Sequence, residues 1–109
     1  MSIESEIFTL FNEEKRKIEK GIERTLKGTV VDLAGNTPFD TGYHAMNWQL
    51  KNHETESTIG VYSKKNKRGF QQVLDMVSNR ADKFEFSFDD NPNASIFNNG
   101  KKIDDLEAG

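Results

Sequence analysis

The stretch Thr37-Pro38-Phe39-Asp40-Thr41-Gly42 divides the chain into two kinds of pattern. Before it, apolar residues recur at helical spacing. After it, they alternate as in a strand. Pro38 fixes its own φ near about −65° and biases Thr37 toward an extended conformation. Asp40 and Thr41 can turn their side chains back onto nearby backbone N–H groups, and Gly42 accepts a positive φ without steric cost. On local chemistry alone this is a rigid connector that orients whatever follows.

Upstream, Ile3, Ile7, Leu10, Phe11, Ile18, Ile22 and Leu26 predict one long helix from residue 2 to about 31. Ser2 or Ser5 suits its N-cap, and Glu4 and Glu6 suit the positive end of its dipole. Glu14 and Gly21 interrupt the stripe, so contact with a core is not continuous along it. Glu13–Lys17 and Glu23–Lys27 sit at the favourable i, i+4 spacing on the other face. That charged face reads as solvated, or as the outer face of a helix packed in an oligomer. Gly28 and then Ala34-Gly35-Asn36 mark the expected end.

Downstream, His44, Met46, Trp48 and Leu50 alternate with Ala45, Asn47 and Gln49, which predicts a strand. Residues 51–57 read as a polar loop, and Thr58 to Tyr62 as a second short strand. Lys64, Lys65, Lys67 and Arg68 make a basic loop over 63–69, able to touch phosphates. Phe70, Val73, Leu74 and Val77 predict a helix over about 70–81. Phe84, Phe86 and Phe88, alternating with Glu85, Ser87 and Asp89, predict a half-buried antiparallel strand. A turn at 89–93 leads to a last short strand over 94–97, and Asn98-Asn99-Gly100 turns again. The expected fold is therefore α+β. A long N-terminal helix and a shorter one pack on an antiparallel sheet of three to four strands, with the turn at 37–42 setting the Trp48 strand against the Phe84/Phe86/Phe88 strand.

The chain's 109 residues suit a single domain spanning 1–109 with a modest core. With 34% hydrophobic and 30% charged residues it is polar for a monomer, which implies exposed helix or a stabilising partner. The absence of cysteine excludes disulfides and thiolate-held metals. No apolar run approaches a membrane span, and the acidic start lacks an apolar signal core, so the expectation is a soluble chain used without secretion or membrane. A net charge of −3 provides no general attraction to nucleic acid.

No catalytic constellation emerges. Asp40-Thr41-Gly42 is also the triplet of retroviral-type aspartic proteases, which pair two such carboxylates across a dimer axis. Those enzymes carry the triplet at the end of a buried apolar strand, whereas a charged helix precedes it here. The two histidines, His44 and His53, lack metal-ligand spacing, and no serine sits in a nucleophile elbow. No enzyme activity, cofactor or metal is expected.

The Pro38-Phe39-Asp40-Thr41-Gly42 turn, followed by Asn47-Trp48, resembles the tail-completion proteins of long-tailed bacteriophages, the lambda-type minor tail protein Z and related neck proteins. Ile96-Phe97-Asn98-Asn99 and Leu106-Glu107-Ala108-Gly109 stand where that family carries its C-terminal motifs, in the same order. The similarity covers about residues 15–109. Tyr43 and His44 replace a basic residue and Leu, and Lys101, Lys102 and Ile103 fill a stretch where the family has an aromatic. Members continue beyond this last motif, so the resemblance implies a shortened member or one cut at the C-terminus. It also implies a structural virion protein at the head–tail joint, a tail terminator or head–tail connector assembled in the host cytoplasm. Such a protein forms a homo-oligomeric ring, a hexamer in the virion, and bridges neck and tail-tube proteins close to the DNA channel. Pro38, Asp40, Thr41, Gly42 and Trp48 would form the structural turn. Asn98, Asn99, Glu107 and the basic Lys64, Lys65, Lys67 and Arg68 are the interface candidates. A different class of function, a small dimeric regulatory or toxin–antitoxin module, would use the N-terminal helix as its dimer seam.

Overall fold

A computed structural model describes residues 2–39, 42–54, 58–59 and 68–100. Helix α1 runs from Ile3 to Asn36, a single-turn helix α2 from Tyr43 to Met46, strand β1 from Trp48 to Lys51, helix α3 from Phe70 to Ala81 and strand β2 from Ser95 to Asn98. The strands pair antiparallel in the register Trp48↔Asn98, Gln49↔Phe97, Leu50↔Ile96 and Lys51↔Ser95.

Helix α1 has 34 residues, about 51 Å at a rise of about 1.5 Å per residue. Ser2 caps it, its Oγ accepting the Ser5 N–H at 3.1 Å. The helix runs five residues beyond the predicted end, through Gly28 and Gly35. An interior glycine costs about 1 kcal/mol against alanine, and tertiary packing outweighs it. Val30 and Ala34 are fully buried, and the Gly35 backbone lies against Leu74 of α3. The helix stops where Pro38 forbids continuation. Its last carbonyls are met locally: the Thr37 hydroxyl donates to Leu33 O at 2.7 Å and the Asn36 amide to Asp32 O at 2.8 Å.

The core forms where the C-terminal part of α1, α2, α3 and β1 converge. Val30, Ala34, Ala45, Met46, Leu50, Val73, Val77, Ala81 and Phe84 pack together. The observed α3 coincides with the predicted 70–81 helix, and Val73, Val77 and Ala81 are its buried face at the i, i+4, i+8 spacing.

Three strand expectations are corrected. Among the described residues the sheet has two strands, not three or four. Residues 43–46 are a helical turn, because Gly42 takes φ +85° and starts a new helix. Tyr43, Ala45 and Met46 are all buried there, so alternation in the sequence did not mean alternation in space. Among the described residues the segment 84–88 joins no sheet, and its one bridge is Ser87↔Asn91, within its own turn. Trp48 therefore pairs with Asn98 rather than with the phenylalanine segment. Thr58 and Ile59 lie outside any strand, and residues 60–62 fall outside the described residues.

Candidate functional site: the turn cluster and the N-terminal arm

Two features distinguish this molecule. The first is a polar cluster that ties the 37–48 turn to the 98–100 turn. Asn47 sits at its centre with 0% exposure. Its amide nitrogen donates to Tyr43 O at 2.8 Å and to Ile59 O, and its Oδ1 accepts the Ile59 N–H at 2.6 Å. Its backbone carbonyl accepts the Asn99 N–H at 3.3 Å. Through its side-chain amide and its backbone carbonyl, Asn47 thus joins three stretches of chain, 43–47, 58–59 and 98–100, so almost nothing about its rotamer is free. Trp48 Nε1–H donates to Thr37 Oγ1 at 2.7 Å, linking β1 to the end of α1. Asn98 Nδ2 donates to His44 O at 2.8 Å, and Asn98 Oδ1 accepts the Gly100 N–H at 2.8 Å.

Gly42 has no room for a side chain. A Cβ there would lie 2.8 Å from Val73 Cγ2 and 3.1 Å from Phe39 Cζ. The Arg80 guanidinium completes the cluster from α3, its Nη2 donating to Met46 O and, at 3.1 Å, to Trp48 O. Burial lowers the pKa of Arg80, since desolvation disfavours its charged form. Its Nε and Nη1 have no partner among the described residues. Arg80 borders an open groove of about 440 Å³ with Trp48, Leu50, Val77 and Phe84. No sequence pattern singled out Arg80, which lies on a helix where its residue type is ordinary; Asn47 entered only as part of the Asn47-Trp48 motif, with nothing to mark it as buried.

A second polar device holds the phenylalanine segment. Phe86 N–H donates to Glu23 Oε1 at 2.9 Å, and Phe88 N–H to Glu19 Oε2 at 2.7 Å. The spacing explains the match. Four residues of helix advance about 6 Å, close to the rise of about 6.6 Å over two residues of strand. Carboxylates at i and i+4 of α1 therefore meet alternate N–H groups of a neighbouring segment. Glu23 is only 9% exposed, and its charge is met by this N–H and by Lys20 Nζ at 3.7 Å. Lys15 Nζ adds an ion pair to Asp89 at 2.6 Å. These contacts replace the ladder that alternation had predicted.

The other feature is the N-terminal arm of α1. Ile3, Ile7, Leu10, Phe11 and Ile18 are 55–74% exposed. Among the described residues, the first polar contact from α1 to the rest of the fold is made by Lys15. Scattered exposed apolar residues are ordinary, but a row of them along one helix marks an interaction face.

The predicted site residues fall unevenly on these features. Pro38, Gly42 and Trp48 belong to the turn cluster, and Asn98 and Asn99 lie in it too, with the Asn98 amide contacts directed inward. Arg68 is half-buried just ahead of α3. Asp40, Thr41, Lys64, Lys65, Lys67 and Glu107 lie outside the described residues. Among the described residues no group of three His, Asp or Glu side chains can hold a metal ion, and no helix is long and apolar enough to cross a membrane. Comparison with protein-family models, with curated proteins and with solved structures finds no match to this chain.

Proposed function

We propose that this chain is a structural assembly protein of a long-tailed phage virion. In this reading it completes the tail at the head–tail joint by forming a ring and binding neck and tail-tube proteins, and it carries out no chemical step. The observation that supports the reading is the turn cluster. Thr37 and Gly42 at the two ends of the turn, Asn47-Trp48 and, about fifty residues further on, Asn98-Asn99 belong to the motifs that carry the resemblance or flank them, and they share one hydrogen-bonded cluster. Motif residues that build one another's geometry form a single structural unit, which three chance matches need not do. A rigid turn cluster on one end and an exposed helix on the other suit a protein that works by shape and contact.

The test is addition of the purified chain to phage tail tubes that lack their terminal ring, read by electron microscopy and by light scattering. The expected result is a ring of density at one tube end and a mass gain that saturates. Bare tube ends at micromolar chain refute the reading. The dimeric regulatory module is favoured by the exposed arm alone, and it predicts no affinity for tubes at any concentration.

A further inference from the structure

We infer that the free chain pairs with a second copy of itself through an antiparallel contact between the N-terminal halves of two α1 helices. The inference goes beyond the tail-completion reading and does not depend on it.

At about 100° per residue, five of the six exposed large apolar residues of the arm, Ile3, Ile7, Leu10, Phe11 and Ile18, fall within an arc of about 100°, and the sixth, Phe8, lies about 60° beyond Phe11. The residues of α1 that bond to or pack on the body, Lys15, Glu19, Glu23, Leu26, Lys27, Val30, Val31 and Ala34, centre nearly half a turn away. The apolar stripe therefore does not face its own body. Ile18 shows this directly. It lies between Lys15 and Glu19, which both bond to residues 88–89, yet it is 55% exposed. The face is open alongside the body as well as beyond it. A helix of about 12–15 residues standing alone in water is marginal, so the arm gains stability from whatever covers this stripe.

Charge selects the occupant. Residues 3–14 carry Glu4, Glu6, Glu13 and Glu14 and no base. Residues 15–20 carry Lys15, Arg16, Lys17 and Lys20 against the single acid Glu19. An anionic lipid surface is repelled by the acidic tip. Two parallel arms would set acids beside acids and bases beside bases. Two antiparallel arms crossing between Leu10 and Phe11 set Ile3 of one copy opposite Ile18 of the other, and Leu10 opposite Phe11. Glu6 of one copy then runs beside Lys17 of the other, and the helix dipoles oppose. Glu14, the polar break in the stripe, falls opposite Ile7; its carboxylate is held by Lys17 of its own helix at 3.2 Å. The contact is isologous, so it closes at two copies and leaves no stripe to propagate.

The absence of cysteine makes the register directly readable. The double variant Ile7→Cys/Glu14→Cys places two thiols on one helix about 10.5 Å apart, beyond the roughly 7 Å limit for a disulfide within one chain. Mild oxidation, digestion and mass spectrometry are expected to yield dimers with position 7 of one copy bonded to position 14 of the other. Leu10→Asp/Phe11→Asp is expected to raise the dissociation constant at least about 100-fold by sedimentation, with the thermal midpoint followed by Trp48 fluorescence unchanged. Glu6→Lys is expected to weaken pairing, and Glu6→Lys/Lys17→Glu to restore it. Bridges joining 7 to 7 and 14 to 14 overturn the inference, as does a monomeric mass at the highest concentration with no bridges. Tube binding is measured separately, so failure of pairing and failure of the tail-completion reading are distinguishable.

Discussion

Replacing Gly42 with alanine adds a single methyl group where the start of α2 meets Val73 of α3 and Phe39. Two costs arise from the geometry. The residue sits at φ +85°, and a side chain in the left-handed region costs roughly 1–2 kcal/mol. The new Cβ would lie 2.8 Å from Val73 Cγ2, and Val73 is fully buried. Such overpacking costs typically about 1–3 kcal/mol. The stiffer unfolded chain returns about 0.4–1 kcal/mol. The net loss is centred near about 3 kcal/mol, which lowers the melting temperature by roughly 12–24 °C in a domain of this size. The assay is urea and thermal unfolding followed by Trp48, the chain's one tryptophan. Gly28→Ala is the matched control. It lies in α1 with nothing within 4 Å of its Cβ position, and should gain about 0.5–1 kcal/mol. If Gly42→Ala unfolds within about 0.5 kcal/mol of the parent, the positive φ and the close approach to Val73 are both wrong.

Asn47→Ala leaves the Ile59 N–H and the carbonyls of Tyr43 and Ile59 without their partner, so chemical denaturation should show a loss of about 2–4 kcal/mol. Glu23→Leu removes the acceptor of the part-buried Phe86 N–H and should cost about 1–3 kcal/mol. Glu23→Gln keeps an acceptor oxygen and should recover most of that loss; equal losses for both would show that the Phe86 contact contributes nothing. Trp48→Phe breaks the bond to Thr37 and should cost about 1 kcal/mol from that bond plus a packing loss. Thermal unfolding followed by circular dichroism, compared with Thr37→Val, separates the two terms.

The two longer helices, α1 and α3, were legible in the chain because their information is local, whereas the helical turn at 43–46 read as strand. Ser2 at the cap, the spacing of Val73 and Val77, and the proline beyond Asn36 each act within a few residues. The last short strand and the turn before it were readable for the same reason. The end of α1 was misplaced because two glycines advertise a stop, and only the burial of Val30 and Ala34 against α3 offsets their cost. The Phe84, Phe86 and Phe88 alternation correctly marks a segment that buries part of one side. It carries no information about what receives the backbone N–H groups, and here the side chains of Glu19 and Glu23 receive two of them. The arm's apolar stripe was visible as periodicity; that it faces away from its own body was not. Periodicity fixes which side chains share a face, and the angle of that face to the core is set only when the C-terminal half of α1 docks. Likewise Asn47 is one asparagine among many until the fold closes around it. A polar residue's burial depends on contacts distant in sequence, and tertiary structure alone supplies them.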